Sequence, residues 1–132
     1  GTAAAPAGES LLLEEAGFAV LRRGAGGDPR YALLDFGPHG GWHGHPDKLG
    51  LLTYGHGALR GLDPGTVGFS LPSHHTWDKT TVAHNILVLD QQNQVPATGA
   101  AGISHLTGPA VLATASAPLA YPAAELYERV LL

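Results

Sequence analysis

Apolar residues in this chain come in short runs separated by glycine and proline, a pattern that predicts strands rather than helices. The predicted strands cover residues 18–22, 31–36, 49–54, 58–62, 80–90, 110–115 and 126–132. Strands that recur at short intervals with turn residues between them are typical of an antiparallel sandwich or barrel. The sequence therefore predicts an all-β fold, an antiparallel β-sandwich.

Local signals add detail to three stretches. Gly55-His56-Gly57 stands between two predicted strands and indicates a hairpin with a short loop. Ile86-Leu-Val-Leu89 is a continuous apolar run, which suits a strand buried on both faces. Residues 10–16 have a helical pattern, and we predict a short helix there. We accordingly assign residues 1–16 to a tail or linker and residues 17–132 to the sandwich domain.

The composition narrows the class of protein. A chain of 132 residues with 44% hydrophobic and 14% charged residues is typical of a globular domain with a core. The net charge of −4 and the scattered basic residues argue against nucleic acid as a partner. Neither a membrane-spanning stretch nor a signal-peptide pattern occurs, so we expect no membrane partner. The absence of cysteine removes disulfides and thiolate catalysis.

The two ends of the sequence predict that it is part of a longer protein. Its first residue is Gly1 rather than methionine, and its last residues form an apolar run that resembles a strand. Domains seldom stop in the middle of a strand, so we expect more sheet after Leu132. We therefore expect the domain to be truncated at both ends.

Three potential metal ligands lie far apart along the chain. His45, Asp63 and His84 each stand next to Pro, Gly or Asn, residues that end strands and open turns. Two imidazoles and a carboxylate that converge from separate strand ends would hold a borderline divalent cation with one coordination position open. Asp63 lies 18 positions after His45, so the tertiary fold would have to assemble the site. On spacing alone, three unrelated polar residues at strand ends fit equally well.

Three sequence blocks carry a resemblance to a known family. They are Tyr31-Ala-Leu-Leu-Asp-Phe-Gly-Pro-His-Gly-Gly-Trp-His-Gly-His-Pro-Asp-Lys-Leu49, Leu62-Asp-Pro-Gly-Thr66 and Ala83-His-Asn-Ile-Leu-Val-Leu-Asp90. In this order they resemble the β-sandwich portion of the heparinase II/III-like polysaccharide lyases, which include heparin lyases and oligoalginate lyases. The resemblance runs from about residue 18 to the C-terminus. It implies a parent protein with an N-terminal α-helical toroid, absent from this chain, followed by large antiparallel sheets.

The resemblance implies a metal site and an active-site residue. It makes His45, Asp63 and His84 the ligands of a zinc ion, and it makes His43 an active-site histidine that faces the substrate cleft. Glycine between His43 and His45 relaxes the chain, so one imidazole can bind metal while the other turns to the cleft. The zinc would join three strand ends and contribute stability, as structural zinc does.

The activity that the resemblance implies is β-elimination on an acidic polysaccharide or oligosaccharide that contains uronic acid. Such a reaction needs a group that neutralises the uronate carboxylate, a base and an acid. The toroid of the family supplies a Tyr, with His and Asn, so this chain alone is expected to be inactive. Trp42 is the candidate for stacking on a sugar, and Asp47 or Asn85 could fix the tautomer of a ligand histidine. The family setting favours a periplasmic or secreted protein, with cytoplasmic oligosaccharide processing as the alternative.

Two other classes of protein compete with a lyase. The first is a non-catalytic carbohydrate-binding or structural β-sandwich, in which a metal only joins the strands. The second is a cupin-like metal oxidoreductase, since two His and a carboxylate also describe an iron site. A cupin would carry Glu shortly after the second His, whereas Pro-Asp-Lys-Leu-Gly-Leu follows His45.

Overall fold

The computed structural model describes residues 8–24 and 28–132, and its regular structure is almost entirely β. The strands are β1 (Leu11–Leu13), β2 (Phe18–Arg23), β3 (Arg30–Asp35), β4 (Gly50–Gly55), β5 (Ala58–Gly61), β6 (Ala100–His105), β7 (Leu112–Ser116) and β8 (Glu128–Leu131). Short 3-10 turns cover Gly41–His43, Thr81–Ala83 and Pro118–Ala120, and a π-helical turn covers His74–Asp78. Across these described residues, we find no helix with the length and apolar character that crossing a membrane requires.

The strands form two antiparallel sheets. The first has five strands in the order β1-β2-β3-β4-β5, and the second has three in the order β6-β7-β8. A two-residue loop joins β4 to β5, and its residues His56 and Gly57 have φ angles of 52° and 74°. Positive φ at both positions is the type I′ geometry that matches the twist of paired strands. The predicted hairpin is therefore confirmed.

The core lies between the two sheets. Ala19 and Leu21 of β2 and Leu34 of β3 are buried on the inner face of the five-stranded sheet. Ala113 and Ala115 alternate along β7 and are each 1% exposed. Because alanine is small, β7 can lie close to β2, and the sheets bury one shared set of apolar side chains. The prediction of an all-β antiparallel sandwich is confirmed.

The helix predicted over residues 10–16 is wrong. Leu11–Leu13 is a strand that pairs with β2, with Leu12 opposite Ala19. The turn closes through Gly17, whose amide donates to the Leu13 carbonyl at 2.8 Å and whose φ is 74°. Three consecutive leucines are too few for a stable helix but sufficient for an edge strand. Of the predicted tail, residues 1–7 lie outside the described part. The boundary after residue 16 stays a prediction, although β1 belongs to the same sheet.

The strand predicted over residues 80–90 is also wrong. Thr81–Ala83 forms a 3-10 turn, and residues 84–90 have no regular structure. Side chains here bond to neighbouring backbone groups in place of a strand ladder, as when Asn85 Nδ2 donates to the Leu51 carbonyl at 2.7 Å. Within the apolar run, Leu87 is 58% exposed. An apolar run was therefore an unreliable indicator of a strand at this point.

The other predicted strands are confirmed to within a few residues, and β6 was missed in addition to β1. Ala100–His105 forms β6, although its sequence contains Gly102 and Ser104 and lacks an apolar alternation. It pairs with β7 through a register irregularity between Ala101 and Ser104. A strand that bulges in this way leaves little periodic signal in the sequence.

Candidate metal centre and cleft

The site forms where two long connections meet at one end of the sandwich. His45 and Asp47 lie between β3 and β4, and His84 lies in the connection between β5 and β6. One group of potential ligands emerges from the described residues: single ligand atoms of His45, Asp47 and His84 lie within 4.8 Å of one another. The ring centroids of His45 and His84 are 5.3 Å apart. The fold thus brings two imidazoles and a carboxylate together from residues far apart in sequence.

Asp63 contacts His84 rather than joining this group of three. His84 Nδ1 donates to Asp63 Oδ2 at 2.7 Å, and His84 Nε2 donates to the Asp78 carbonyl at 3.1 Å. The His84 side chain is fully buried, while that of Asp63 is 33% exposed. The structure therefore places Asp47, which we expected outside the ligand set, beside the two imidazoles. The ligand role of Asp63 stays a prediction.

The close packing of these groups shifts their pKa values. The hydrogen bond from His84 holds the pKa of Asp63 below its usual range. Burial alone would lower the pKa of His84, but the hydrogen bond and the negative charge of Asp63 outweigh it, and the net shift is upward. Burial, followed by the charge of His84, lowers the pKa of His45. His45 therefore favours the neutral imidazole, the form that binds metal ions.

Gly44 allows the ligand-bearing segment to pass close to its own backbone. A Cβ on Gly44 would overlap the carbonyl oxygen of His39. The amide of Gly44 donates to the Gly41 carbonyl at 3.1 Å and closes the 3-10 turn that carries His43. Glycine is thus required between His43 and His45 by this close approach, in addition to the freedom that the sequence suggested.

His43 and His45 line the same open cleft. The division into a cleft residue and a metal ligand stays a prediction. The cleft has a volume of about 310 Å³, and its wall also includes His39, Asp47 and Lys48. Trp42 is 92% exposed and is not part of this wall. Its carbonyl accepts a hydrogen bond from Lys79 Nζ at 2.6 Å. The cleft therefore combines His43 with His45 and Asp47, while Trp42 stands outside it.

Sequence reasoning missed the burial of Lys48. Its side chain is 3% exposed, and Nζ lies 3.0 Å from Asp47 Oδ1 and 3.5 Å from Asp35 Oδ2. Burial raises the pKa of Asp35, and the charge of Lys48 opposes this rise. Lys48 thus pairs with the carboxylate that stands beside His45 and His84. Asp47-Lys48 reads in sequence as a surface turn pair, so no local signal could have revealed this pairing.

His74 is a second buried histidine at the edge of the site. It is 2% exposed, and its Nδ1 lies 3.0 Å from Thr66 Oγ1. Its ring packs edge-on against Phe69 at 4.8 Å and lies 6.3 Å from the ring of His45. His74 therefore fills the space behind His45. Nothing in its sequence neighbourhood distinguishes it from the exposed His75.

Fold and site together define a β-sandwich with a histidine-carboxylate cluster at one cleft, and comparison with known proteins assigns the family. Residues 5–117 match the family described as heparinase II/III-like, C-terminal. The chain belongs to this family.

The relatives of known name are polysaccharide lyases. An alginate lyase of Stenotrophomonas maltophilia (strain K279a) is 33% identical, over 70% of this chain and 14% of that protein. The structure of heparan sulfate lyase HepC from Pedobacter heparinus matches with a TM-score of 0.76 and 27% identity, over 89% of this chain and 19% of HepC. Heparinase III, the BT4657 gene product, has a TM-score of 0.77 and 23% identity, over 89% of this chain and 19% of that chain, and supports the fold alone. This chain thus spans less than a fifth of each relative.

Proposed function

We propose that this chain is part of a polysaccharide lyase that cleaves uronic-acid-containing glycans by β-elimination. The observation that carries the proposal is the cleft in which His43 stands beside His45 and Asp47. The relatives named alginate lyase and heparan sulfate lyase support it, because both of those polysaccharides contain uronic acid. Membership of the family argues against the cupin-like alternative.

The proposed reaction removes the proton at C5 of the uronate and breaks the bond between C4 and O4. The electron pair of the C5–H bond forms the C4–C5 double bond, and the leaving oxygen takes up a proton. The uronate carboxylate must be neutralised for C5 to become acidic enough. In this chain the exposed imidazole of His43 faces the cleft where such a sugar would bind. The other groups would come from the rest of the parent protein.

We further propose that the cluster holds a structural zinc ion. The donor set fits, because imidazole and carboxylate groups are both ligands that zinc accepts in four-coordinate sites. His45, His84 and Asp63 would hold the ion, and His84 would bind it after losing one of the two ring protons that Asp63 and the Asp78 carbonyl accept. Asp47, which lies with His45 and His84, is within reach as the fourth ligand. Zinc bound there would supply a positive charge that joins the two connections and adds stability. At the cleft floor the ion would stabilise the fold and would take no part in the reaction.

The test of the proposed function separates His43 from its neighbours in the intact parent enzyme. We expect His43→Ala to lower turnover by about 100-fold or more, because it removes a group that acts on the sugar, with zinc content unchanged. His105→Ala is the matched control, since His105 is exposed on β6. The readout is the ultraviolet absorbance of the unsaturated uronate product. Equal turnover in the two variants would contradict the role of His43.

The same assay applied to this chain alone tests where the catalytic groups lie. We expect no product with alginate, heparin or heparan sulfate, because His43 supplies at most one of the three groups that elimination needs. Product formation that His43→Ala abolishes would contradict this division. From the family resemblance alone, we also propose that the parent protein works in the periplasm or outside the cell, with the cytoplasm as the alternative.

A second candidate function is saccharide binding without catalysis. Two exposed aromatic side chains beside His43 favour it: Trp42, its neighbour in sequence, is 92% exposed, and Phe69, whose ring lies 5.2 Å from that of His43, is 54% exposed. Such rings are able to stack on sugar faces. If the isolated chain binds the polysaccharide while His43→Ala leaves the parent enzyme active, this second function is supported over the first.

A further inference from the structure

Gln94 is buried between the two connections that carry the candidate ligands. It is 4% exposed and lies in the connection between β5 and β6. Its Oε1 accepts a hydrogen bond from the amide of Lys48 at 2.7 Å, and its Nε2 donates to the carbonyl of Lys48 at 2.9 Å. The side-chain amide thus satisfies both backbone groups of a residue 46 positions away, as a neighbouring strand would.

Gln94 is also linked, through Thr81, to Pro46 in the connection between β3 and β4. The backbone amide of Gln94 donates to Thr81 Oγ1 at 2.8 Å, and Thr81 Oγ1 donates to the carbonyl of Pro46 at 2.9 Å. Thr81 has no exposed surface. Hydrogen bonds among Gln94, Thr81, Pro46 and Lys48 therefore form a ring that the backbone from Pro46 to Lys48 closes, and this ring joins the two connections.

A third bond fixes the orientation of the Gln94 amide. Nε2 also donates to the hydroxyl of Tyr127 at 2.9 Å, and that hydroxyl donates to the carbonyl of Leu87 at 2.9 Å. Tyr127 is 4% exposed and belongs to the apolar core. A rotated amide would place a donor against the Lys48 N–H, so only one orientation satisfies every partner.

The ring of bonds lies directly beside the candidate ligands. His45 and Asp47 flank Pro46, and His84 follows Thr81 through one 3-10 turn, closed by the His84 amide on the Thr81 carbonyl at 3.1 Å. We propose that Gln94 is a positioning residue that holds the imidazoles of His45 and His84 at the separation a metal ion requires. This inference rests on the proposed metal site, and it assigns no contact between Gln94 and the ion.

The test replaces Gln94 by leucine, which has a similar volume and keeps the backbone bond to Thr81 but loses the three side-chain bonds. Gln92→Leu is the matched control, because Gln92 is exposed two residues earlier in the same connection. The first readout is the nuclear Overhauser effect between the rings of His45 and His84 in the metal-free protein. The second is the affinity for zinc, with cobalt absorption as a probe of coordination geometry.

We expect Gln94→Leu to lose the ring-to-ring contact and about 10- to 100-fold of zinc affinity, and to alter the cobalt spectrum, as changes in residues that orient ligands do. The control should retain all three. A merely structural role would lower the melting temperature but leave the contact, affinity and spectrum unchanged, and that result would overturn the inference.

The same experiment also covers a Gln94→Leu variant that does not fold and a protein that binds no zinc. If Gln94→Leu does not fold, Gln94→Glu replaces it, since a carboxylate still accepts from the Lys48 amide but sets an oxygen against the Lys48 carbonyl. The contact and the affinity should then weaken, and a Glu variant identical to the unsubstituted protein overturns the inference. If the unsubstituted protein binds no zinc, the proposed metal site fails, and the ring-to-ring contact alone decides the role of Gln94.

Discussion

The sheets and the connection between β5 and β6 satisfy their backbone groups in different ways. In the sheets, neighbouring strands pair their N–H and C=O groups along continuous ladders. In the connection, residues 62–99, side chains such as Thr81, Asn85 and Gln94 take over that task. The fold therefore depends on many equivalent bonds, whereas the geometry of the site depends on a few individual side chains.

The sheets and the connection also differ in how deeply their apolar side chains are buried. Leu34 in β3 has no exposed surface, and Leu21 in β2 is 6% exposed. In the connection, Leu71, Val82 and Leu87 are 51%, 62% and 58% exposed. Little apolar surface holds the connection in place, so loss of one buried polar contact there should disturb the site before it disturbs the fold.

The largest effect on stability is expected from the sheet core. Leu34→Ala should lower the free energy of unfolding by about 2–5 kcal/mol, because it leaves a cavity between the sheets. Leu59→Ala on edge strand β5, where Leu59 is 47% exposed, is the control and should cost far less. Denaturant unfolding measures both. If the Leu34→Ala protein that remains folded no longer binds zinc, the sheet core and the site do not depend on separate contacts.

A smaller effect on stability, with a larger effect on the site, is expected at Gly44. Gly44→Ala sets a Cβ against the His39 carbonyl and should cost about 1–3 kcal/mol, as overpacking does, with a loss of zinc affinity. Gly68→Ala is the matched control, since no atom lies within 4 Å of a Cβ there. Thermal melting and zinc titration of both variants decide the matter. Equal behaviour of the two would show that the close approach at Gly44 is unimportant.

The smallest effect is expected from the exposed part of the connection. Asn85→Ala removes the bond from Asn85 Nδ2 to the Leu51 carbonyl and should cost about 1 kcal/mol in unfolding free energy. Gln92→Ala, whose side chain makes one long bond of 3.4 Å, should cost less. Chemical denaturation compares them. If Asn85→Ala costs as much as Leu34→Ala, the two regions do not differ in the way described above.

The sheets could largely be predicted from the sequence because their signals are local. Glycine and proline mark the turns, and His56-Gly57 fixes the β4–β5 hairpin. The failures occur where a local signal is overruled. Leu11–Leu13 pairs as an edge strand, and residues 84–90 are held by hydrogen bonds from distant backbone and side chains.

The candidate site could be predicted only in part. His45 and His84 were singled out by their positions at predicted strand ends, and His43 by the family resemblance. The structure places His43 and His45 in one cleft and His45 and His84 in one cluster. The positions of Asp47 beside the imidazoles and of Asp63 on His84 Nδ1 depend on how the connections cross. Gln94 carries no sequence signal at all, because its partners are 46 and 33 residues away. Tertiary contacts of this kind are absent from any local pattern.

Zinc titration of the purified, metal-free protein tests the central claim most directly. We expect one equivalent of zinc per chain and a higher melting temperature when zinc is bound. His45→Ala should lose both, and His43→Ala should keep both. Binding of no zinc or other transition metal, together with a melting temperature unchanged by a chelator, would contradict the claim that His45 and His84 meet in order to hold a metal ion.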